Sequence, residues 1–164
     1  MVEIKVYTDG SAISNSKSSN AGWACYWPEL GILRSGAMVG TNNMAELRAI
    51  DYALWYTINR LDPMKNSKIT IHTDSEYCIG VISGEKCAYA NLDQIGKIRR
   101  HIEELEKNRV VVEFKHVFAH TRKTDEESRN NEIVDNRARM EAMRKKALYL
   151  QMEDMEMEEE MDIN

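Results

Sequence analysis

The sequence predicts a single α/β domain in which a five-stranded mixed sheet carries helices on both faces. The chain has 164 residues, a length that suits one domain with a single core. Short runs of alternating apolar and polar residues indicate strands, and longer runs with apolar residues at steps of three and four indicate helices. The predicted element order is β-β-β-α-β-α-α-β-α. The first three strands are therefore expected to form an antiparallel meander, and strands 4 and 5, each reached through a helix, to lie parallel to strand 1.

Each predicted strand is a short apolar or alternating run bounded by turn-forming residues. In the first strand Val2, Ile4 and Val6 alternate with polar residues. The Ser- and Asn-rich stretch 10–20 predicts a loop directly after it. The predicted strands are residues 2–8, 21–27, 32–39, 68–73 and 110–118.

The predicted helices carry apolar stripes and end at helix-breaking residues. In the first helix Leu47, Ile50 and Leu54 lie on one face, and Pro63 follows its end. A polar loop over roughly residues 121–130 is expected to precede the last helix. The predicted helices are residues 41–61, 75–82, 91–108 and about 131–149 or beyond.

Charge divides the chain into a globular domain at 1–150 and an acidic, Met- and Glu-rich tail at 151–164. The whole chain has a net charge of −5, but the tail contains seven acidic residues and no Lys or Arg, so the domain has a net charge of +2 (22 basic against 20 acidic residues). Acidic terminal runs are usually solvated or disordered. The tail could instead extend the last helix, or compete with nucleic acid for the mildly basic domain.

The remaining composition predicts a cytoplasmic protein with no membrane partner, and we expect a monomer. No apolar run approaches the roughly 18 residues that a membrane span needs, and the N-terminus lacks the pattern of a secretory signal. The three cysteines, Cys25, Cys78 and Cys87, form no C-x-x-C pair. They are expected to be free thiols in a reducing compartment rather than disulfide or zinc ligands.

Four acidic residues fall at the ends of predicted elements. Asp9 and Asp74 are each expected at the C-terminal end of a strand, and if strands 1 and 4 are parallel neighbours both carboxylates lie at one edge of the sheet, where α/β folds bind ligands. Glu46 is expected in the first turn of the first helix, and Asp135 in the first turn or two of the last helix. Converging carboxylates usually hold hard divalent cations, so the four predict a metal centre.

Each acid also has an ordinary structural explanation. Asp9 precedes a glycine in a common turn pair, and Glu46 could complete a capping box with Asn43. Asp74 could cap the helix that follows it, and Asp135 could be an exposed acid near the positive end of a helix. The coincidence of all four at element ends favours the shared site.

The segments around these acids resemble ribonuclease H of the type 1 branch, over residues 2–148. A T-D-G-S strand end alone is weak, but T-N-N-x-x-E followed by T-D-S and N-x-x-x-D in this order is specific. The resemblance implies a ribonuclease H-like fold and endonucleolytic hydrolysis of the RNA strand of an RNA–DNA hybrid, leaving 5′-phosphate and 3′-hydroxyl ends. It also implies two Mg²⁺ ions, with Mn²⁺ as a possible substitute. The matching segments are residues 7–11 (YTDGS), 41–46 (TNNMAE), 73–77 (TDSEY), 116–121 (HVFAHT) and 131–135 (NEIVD).

By the same resemblance, Asp9 bridges both ions, Asp135 helps to hold the ion on the nucleophile side, and Glu46 and Asp74 hold the ion on the leaving-group side. His120 aligns with a mobile-loop histidine that aids proton transfer or product release.

Two of these assignments, near the end of the domain, have plain alternatives. His120 could be a surface-loop histidine, and Glu132, which matches a supporting acid near the metals, could be an exposed helical residue. The segment between His120 and Asp135 is longer than in many bacterial members and is similar to phage and viral variants. A viral origin would place the protein in the host-cell cytoplasm or nucleoid.

The resemblance extends to the substrate. A hybrid differs from duplex DNA in the 2′-hydroxyls of its minor groove, which short polar side chains can contact. Thr41 resembles a residue that grips a DNA-strand phosphate. For Asn42 and Asn43 the alternative is helix capping. The candidate minor-groove residues are Ser11, Asn15, Asn42, Asn43 and Glu76.

One departure concerns the basic, Trp-rich protrusion of many family members. Residues 83–89 (SGEKCAY) replace it here and are short and weakly charged. This predicts weaker hybrid affinity or reliance on another surface, with 97–101 and 144–146 as the remaining basic runs.

Three rival functions remain open from the sequence. Another nuclease of the same fold, of the resolvase, integrase or exonuclease type, would generally lack T-N-N-x-x-E. A non-catalytic hybrid-binding module would be expected to have lost an acid, and all four are present. A structural or interaction protein would depend on the Met-rich tail.

Overall fold

The computed structural model describes residues 1–63 and 65–162, and for residues 158–162 only the helical backbone. The strands are β1 (Glu3–Ala12), β2 (Asn20–Trp27), β3 (Ile32–Val39), β4 (Lys68–Thr73) and β5 (Val111–His116). The α-helices are α1 (Asn42–Tyr56), α2 (Glu76–Ser83), α3 (Leu92–Lys107) and α4 (Glu126–Asp162). A 3-10 turn at Pro28–Leu30 links β2 to β3, and a π-helical turn at Thr57–Leu61 extends α1.

The five strands form one sheet in the order β3-β2-β1-β4-β5. β1, β2 and β3 pair antiparallel as a meander, whereas β4 pairs parallel to β1 and β5 parallel to β4. The predicted fold class and strand directions are thus confirmed.

Helices cover the two faces of the sheet unequally. The larger core lies under α1, α2 and α3 and is built around buried apolar side chains such as Leu47, Ile50 and Ile69. On the opposite face α4 crosses β2, β1 and β3, and Val134 and Ala138 pack against Ala24. The α4 backbone lies so close to the sheet that a methyl group on Gly22 would be 2.2 Å from the carbonyl oxygen of Ala138.

Two predicted boundaries are wrong. β1 continues through residues 10–12, which were expected in a loop, because β2 supplies antiparallel partners as far as Ala12. α4 begins five residues earlier than expected, at Glu126. The Asp125 carboxylate accepts a hydrogen bond from the backbone N–H of Ser128 at 2.8 Å, and the two acids that follow Asp125 favour a helix N-terminus.

The acidic segment continues α4 as far as Asp162. Because α4 begins at Glu126, the loop before it is shorter than expected. Asp135 consequently lies in the third turn of α4 rather than the first or second. Within the described ranges, no helix is both long and apolar enough to cross a membrane.

Candidate active site

Asp9 and Asp74 lie at the same edge of the sheet. The parallel ladder between β1 and β4 ends at the pair Tyr7 and His72, so Asp9 stands two residues beyond it and Asp74 directly follows the last residue of β4. Asp9 was expected at the end of β1 and lies inside it, but it is still at this edge of the sheet. The backbone N–H of Gly10 donates to Asp9 Oδ1 at 2.9 Å, which orients the carboxylate.

Glu46 reaches the same edge because α1 packs directly on β1. A methyl group on Gly10 would lie 2.2 Å from the backbone nitrogen of Glu46, so only glycine permits this approach. Thr41 caps α1 by accepting a hydrogen bond from the N–H of Met44 at 3.2 Å. The alternative of a capping box between Asn43 and Glu46 is therefore wrong, because both residues lie inside the helix.

Asp74 is likewise not a helix cap. Ser75 caps α2 by accepting from the N–H of Cys78 at 3.1 Å. The carbonyl oxygen of Asp74 lies 3.2 Å from Nε2 of His116, at the end of β5. His116 thereby links the Asp74 backbone to the neighbouring strand. The sequence predicted that His116 lies at the end of the fifth strand, but not that it contacts Asp74.

The three carboxylates of Asp9, Glu46 and Asp74 form a compact group, called here the acidic triad. One carboxylate oxygen from each lies within 4.8 Å of the other two. Asp9 and Glu46 are buried, and Asp74 is half-buried. Oε2 of Glu46 is buried and accepts no hydrogen bond from any described residue. A buried acceptor without a donor is costly, and a divalent cation with oxygen ligands would satisfy it.

Burial and mutual repulsion dominate the electrostatics of the triad. Burial, and then the neighbouring carboxylates, raise the pKa of Asp9 and of Glu46 well above their ordinary values. Burial and the charge of Asp135 raise the pKa of Asp74. Each carboxylate thus resists ionisation because it is desolvated beside like charges.

Asp135 lies near the triad but is held by a cation of its own helix. Its charge contributes to the raised pKa of both Asp9 and Asp74. Its Oδ2 accepts a hydrogen bond from Nη2 of Arg139 at 2.7 Å. Sequence reasoning did not single out Arg139, although its spacing of four residues from Asp135 is the helical signal for such a pair.

His120 and Glu132 share a cavity with Asp135. The cavity has a volume of about 240 Å³ and is also lined by Asn131 and Arg139. His120 lies in the turn after β5 with a φ of 53°, and it is close enough to Asp74 for its charge to favour the ionised carboxylate. The structure therefore brings both residues to the fourth acid.

A larger cavity of about 660 Å³ lies at the N-terminal end of α1. Four of the predicted substrate residues line it: Asn15, Thr41, Asn42 and Asn43. It is completed by residues from the short segment before α3, among them Cys87 and the exposed Tyr89. Of the described residues, neither Ser11 in β1 nor Glu76 in α2 lines this cavity.

A sequence model of the family described as RNase H matches residues 2–143. This match covers most of the chain, including the triad, Asp135 and His120. The chain belongs to the ribonuclease H family. No curated protein matched in a second comparison.

Solved structures place this ribonuclease H among known domains of the same fold. The N-terminal RNase H domain of a Mycobacterium tuberculosis protein, solved as a fusion with maltose-binding protein, is 17% identical with a TM-score of 0.66, covering 91% of this chain and 99% of that one. RNase H1 of the archaeon Halobacterium salinarum is 22% identical with a TM-score of 0.56 (85% and 96% covered). A foamy viral protease–reverse transcriptase, solved in complex with dsDNA, is 20% identical with a TM-score of 0.62 (85% and 93% covered).

Family membership supports a hydrolase that acts as a nuclease on nucleic acid, and family members typically use divalent metal ions. The acidic triad is a group of residues suited to such an ion.

Proposed function

We propose that this ribonuclease H is an endonuclease that hydrolyses the RNA strand of RNA–DNA hybrids and leaves 5′-phosphate and 3′-hydroxyl ends. The observation that carries the proposal is the acidic triad, in which desolvated carboxylates converge on one sheet edge. The activity is assigned to residues 1–150, with the acidic segment 151–164 as an accessory.

The donor set is suited to hard divalent cations, and two Mg²⁺ ions are proposed here, with Mn²⁺ as a substitute. All the ligands offered are carboxylate oxygens, which hard divalent cations prefer, and the orphaned Oε2 of Glu46 points to a missing partner. Asp9, Glu46 and Asp74 would hold the ions, with Asp135 as the fourth ligand. When bound, such a pair activates the attacking water and stabilises the leaving oxygen.

The surrounding residues position the phosphate and move protons. His120 lines the cavity that contains Asp135, and its charge lowers the pKa of Asp74. We assign it the transfer of a proton to the 3′-oxygen of the departing RNA segment, with Glu132 as a supporting acid in the same cavity. Arg139 orients Asp135 by donating a hydrogen bond to its Oδ2.

The hybrid is proposed to lie across α1 and fill the larger cavity. The Thr41 hydroxyl already accepts the Met44 N–H, and its proton remains available for a DNA-strand phosphate. Asn42 and Asn43 do not cap α1. They can therefore contact the minor groove, where 2′-hydroxyls distinguish the RNA strand. Asn15 lines the same cavity, and Ser11 and Glu76 are assigned to its margins.

The decisive experiment compares labelled RNA–DNA hybrid, duplex DNA and duplex RNA, each with Mg²⁺ or with a chelator, for the wild-type chain, Asp9→Asn and Asp74→Asn. We expect cleavage of the hybrid alone, internal cuts with 5′-phosphate ends, and loss of activity in chelator and in both variants. Equal cleavage of duplex DNA would refute the hybrid specificity. Activity that survives chelation or both substitutions would refute the role of the triad. Thr41→Val, which leaves the triad intact, should weaken hybrid binding.

A further inference from the structure

The outer face of α4 carries an apolar stripe that nothing in the described chain covers. Its members, called here the outer stripe, recur at steps of three and four, with Asp154 as an interruption. Met140 is 59% exposed, Met143 67%, Leu150 48% and Met157 59%. The members of the outer stripe are Met140, Met143, Ala147, Leu150 and Met157.

The outer stripe points away from the domain. Val134, Ala138 and Ala142 are the buried residues by which α4 packs on the sheet. At 3.6 residues per turn the centre of the stripe lies roughly 150° around the helix axis from these three. The helix therefore packs one face on its own sheet and leaves the outer stripe, about 27 Å long, in solvent. Beyond the sheet, Leu148, Met152 and Met155 are exposed on the other side of α4.

The spacing of the stripe fits a second copy of itself run in the opposite direction. In an antiparallel pair, Met140 faces Met157 of the other copy and Ala147 faces Leu150. Met143 then faces Asp154, the weakest layer of the contact. Apolar residues at alternating steps of three and four are the pattern by which two helices pack along a seam.

Charge along the same helix selects the antiparallel direction. Residues 137–146 contain five basic side chains and one acidic side chain, Glu141, which already pairs with Arg144. Residues 151–164 contain seven acids and no Lys or Arg. An antiparallel copy sets the basic part of each helix beside the acidic part of the other, whereas a parallel copy would set acid beside acid.

One flanking pair gives this complementarity a specific contact. Lys146 and Glu153 are exposed, border the outer stripe, and form no ion pair within the described part of the chain. In the antiparallel register that aligns Met140 with Met157, Lys146 of each copy lies beside Glu153 of the other. The pair occurs twice by symmetry.

We propose that the protein associates with a second copy of itself through the outer stripe, as an antiparallel pair of α4 helices. The sequence led us to expect a monomer, and the test below distinguishes the two states. The proposal does not depend on the proposed catalytic function, because no residue of the contact belongs to the acidic triad or lines either cavity.

The test is sedimentation of the full chain over a concentration series in chelator, with circular dichroism to check that each variant keeps its helix. We expect a dimer for the wild type. Leu150→Gln should raise the dimer Kd by about tenfold or more, since each copy loses a buried leucine. The matched control is Met152→Gln, roughly 170° away from the stripe, which should change Kd by less than about twofold.

Orientation is tested by exchanging charges. K146E and E153K should each weaken association by about threefold or more, the scale of two exposed ion pairs, and K146E combined with E153K should restore it. Added salt should weaken the wild-type dimer. A wild-type monomer at all concentrations, a larger effect of Met152→Gln than of Leu150→Gln, or no recovery in the double variant would each overturn the proposal.

Discussion

The backbones of Gly10 and Glu46 approach so closely that a single methyl group on Gly10 would lie 2.2 Å from the Glu46 nitrogen. This contact joins β1 to the start of α1 and sets the distance between the carboxylates of Asp9 and Glu46. In the T-D-G-S segment, therefore, Gly10 allows the close packing of α1 on β1, and Asp9 supplies the carboxylate.

Replacement of Gly10 by alanine should damage the site through this contact. We expect Gly10→Ala to lower the free energy of unfolding by about 1–3 kcal/mol, the usual range for overpacking, and to abolish hybrid cleavage by displacing Glu46. Chemical denaturation and a cleavage assay measure the two effects. Gly96→Ala is the matched control: its nearest neighbour would be Nη1 of Arg100 at 3.5 Å, and alanine inside α3 should stabilise by about 0.5–1 kcal/mol. Equal behaviour of the two variants would contradict the prediction.

The raised pKa values of the triad predict how metal-free stability depends on pH. Burial raises the pKa of Glu46 and of Asp9 above their unfolded values, so the folded state binds more protons than the unfolded state between the two. The triad is therefore least destabilising below its unfolded pKa values, near pH 4, and becomes more destabilising as pH rises through the folded values. Glu46→Gln removes one charge and should stabilise the protein in chelator at pH 8 by on the order of 0.5–2 kcal/mol.

Thermal unfolding in chelator between pH 4 and pH 8 checks the sign. The stabilising effect of Glu46→Gln should fade as pH falls to 4 and below, because the carboxyl groups of the unfolded chain also become protonated there. Addition of Mg²⁺ should stabilise the wild-type chain and reverse the order of the two proteins. A variant less stable than wild type at pH 8 in chelator would show that the triad is not under electrostatic strain.

The four acids should differ in their contribution to cation binding. The triad offers three oxygens within 4.8 Å, whereas Asp135 is engaged by Arg139. We expect Asp9→Asn or Glu46→Gln to lower Mn²⁺ affinity by about 100-fold or more, and Asp135→Asn by about tenfold or less. Titration calorimetry without substrate gives the ranking independently of activity. An Asp135→Asn variant that loses as much affinity as Asp9→Asn would place Asp135 among the primary ligands.

The fold could be predicted from the sequence because the spacing of apolar residues indicates which side chains are buried. Ile69 and Ile71 alternate with polar residues, and an apolar stripe runs from Leu47 to Leu54. Both patterns depend only on which face of the strand or helix meets the core. These residues are buried as expected. The order of strands and helices then left few topologies, since parallel strands need crossover connections.

The errors arose where a partner distant in sequence decides local structure. Residues 10–12 are rich in turn formers, yet they form a strand because β2 pairs with them. The capping roles went to Thr41 and Ser75 rather than to Asn43 and Asp74. A cap depends on which side chain faces the first free N–H groups, and neighbouring polar residues compete for that place. The contact of His116 with the Asp74 backbone joins residues far apart in sequence, whereas the pair of Asp135 and Arg139 has the local four-residue spacing that a helix predicts.

Cys87 should report occupancy of the larger cavity. Cys25 and Cys78 are buried, and burial raises the pKa of Cys78 to about 12, so neither thiol should react in the folded protein. Cys87 is exposed and lines the cavity with Thr41 and Asn42. We expect one reactive thiol in three, protected by RNA–DNA hybrid, and a loss of hybrid affinity of about tenfold after labelling with a bulky maleimide.

The control for this prediction is Cys87→Ser, which should bind hybrid normally and resist the reagent. If labelled wild-type protein binds hybrid as tightly as the unlabelled protein, the hybrid does not occupy this cavity, and the assigned roles of Thr41 and Asn42 would have to be withdrawn.

Removal of the acidic segment should strengthen hybrid binding at low salt. Truncation after Leu150 removes seven acids and changes the net charge from −5 to +2, so repulsion between the chain and the phosphate backbone falls. We expect an affinity gain of about fivefold at low salt that disappears at high salt, as for other electrostatic contributions to nucleic-acid binding. Fluorescence anisotropy with labelled hybrid measures both limits. Truncation also removes part of the outer stripe, so Leu150→Gln, which keeps every acid, is the necessary control. If Leu150→Gln reproduces the gain, association rather than charge controls access to the hybrid; if neither variant changes affinity, the acidic segment acts only as a solvated extension of α4.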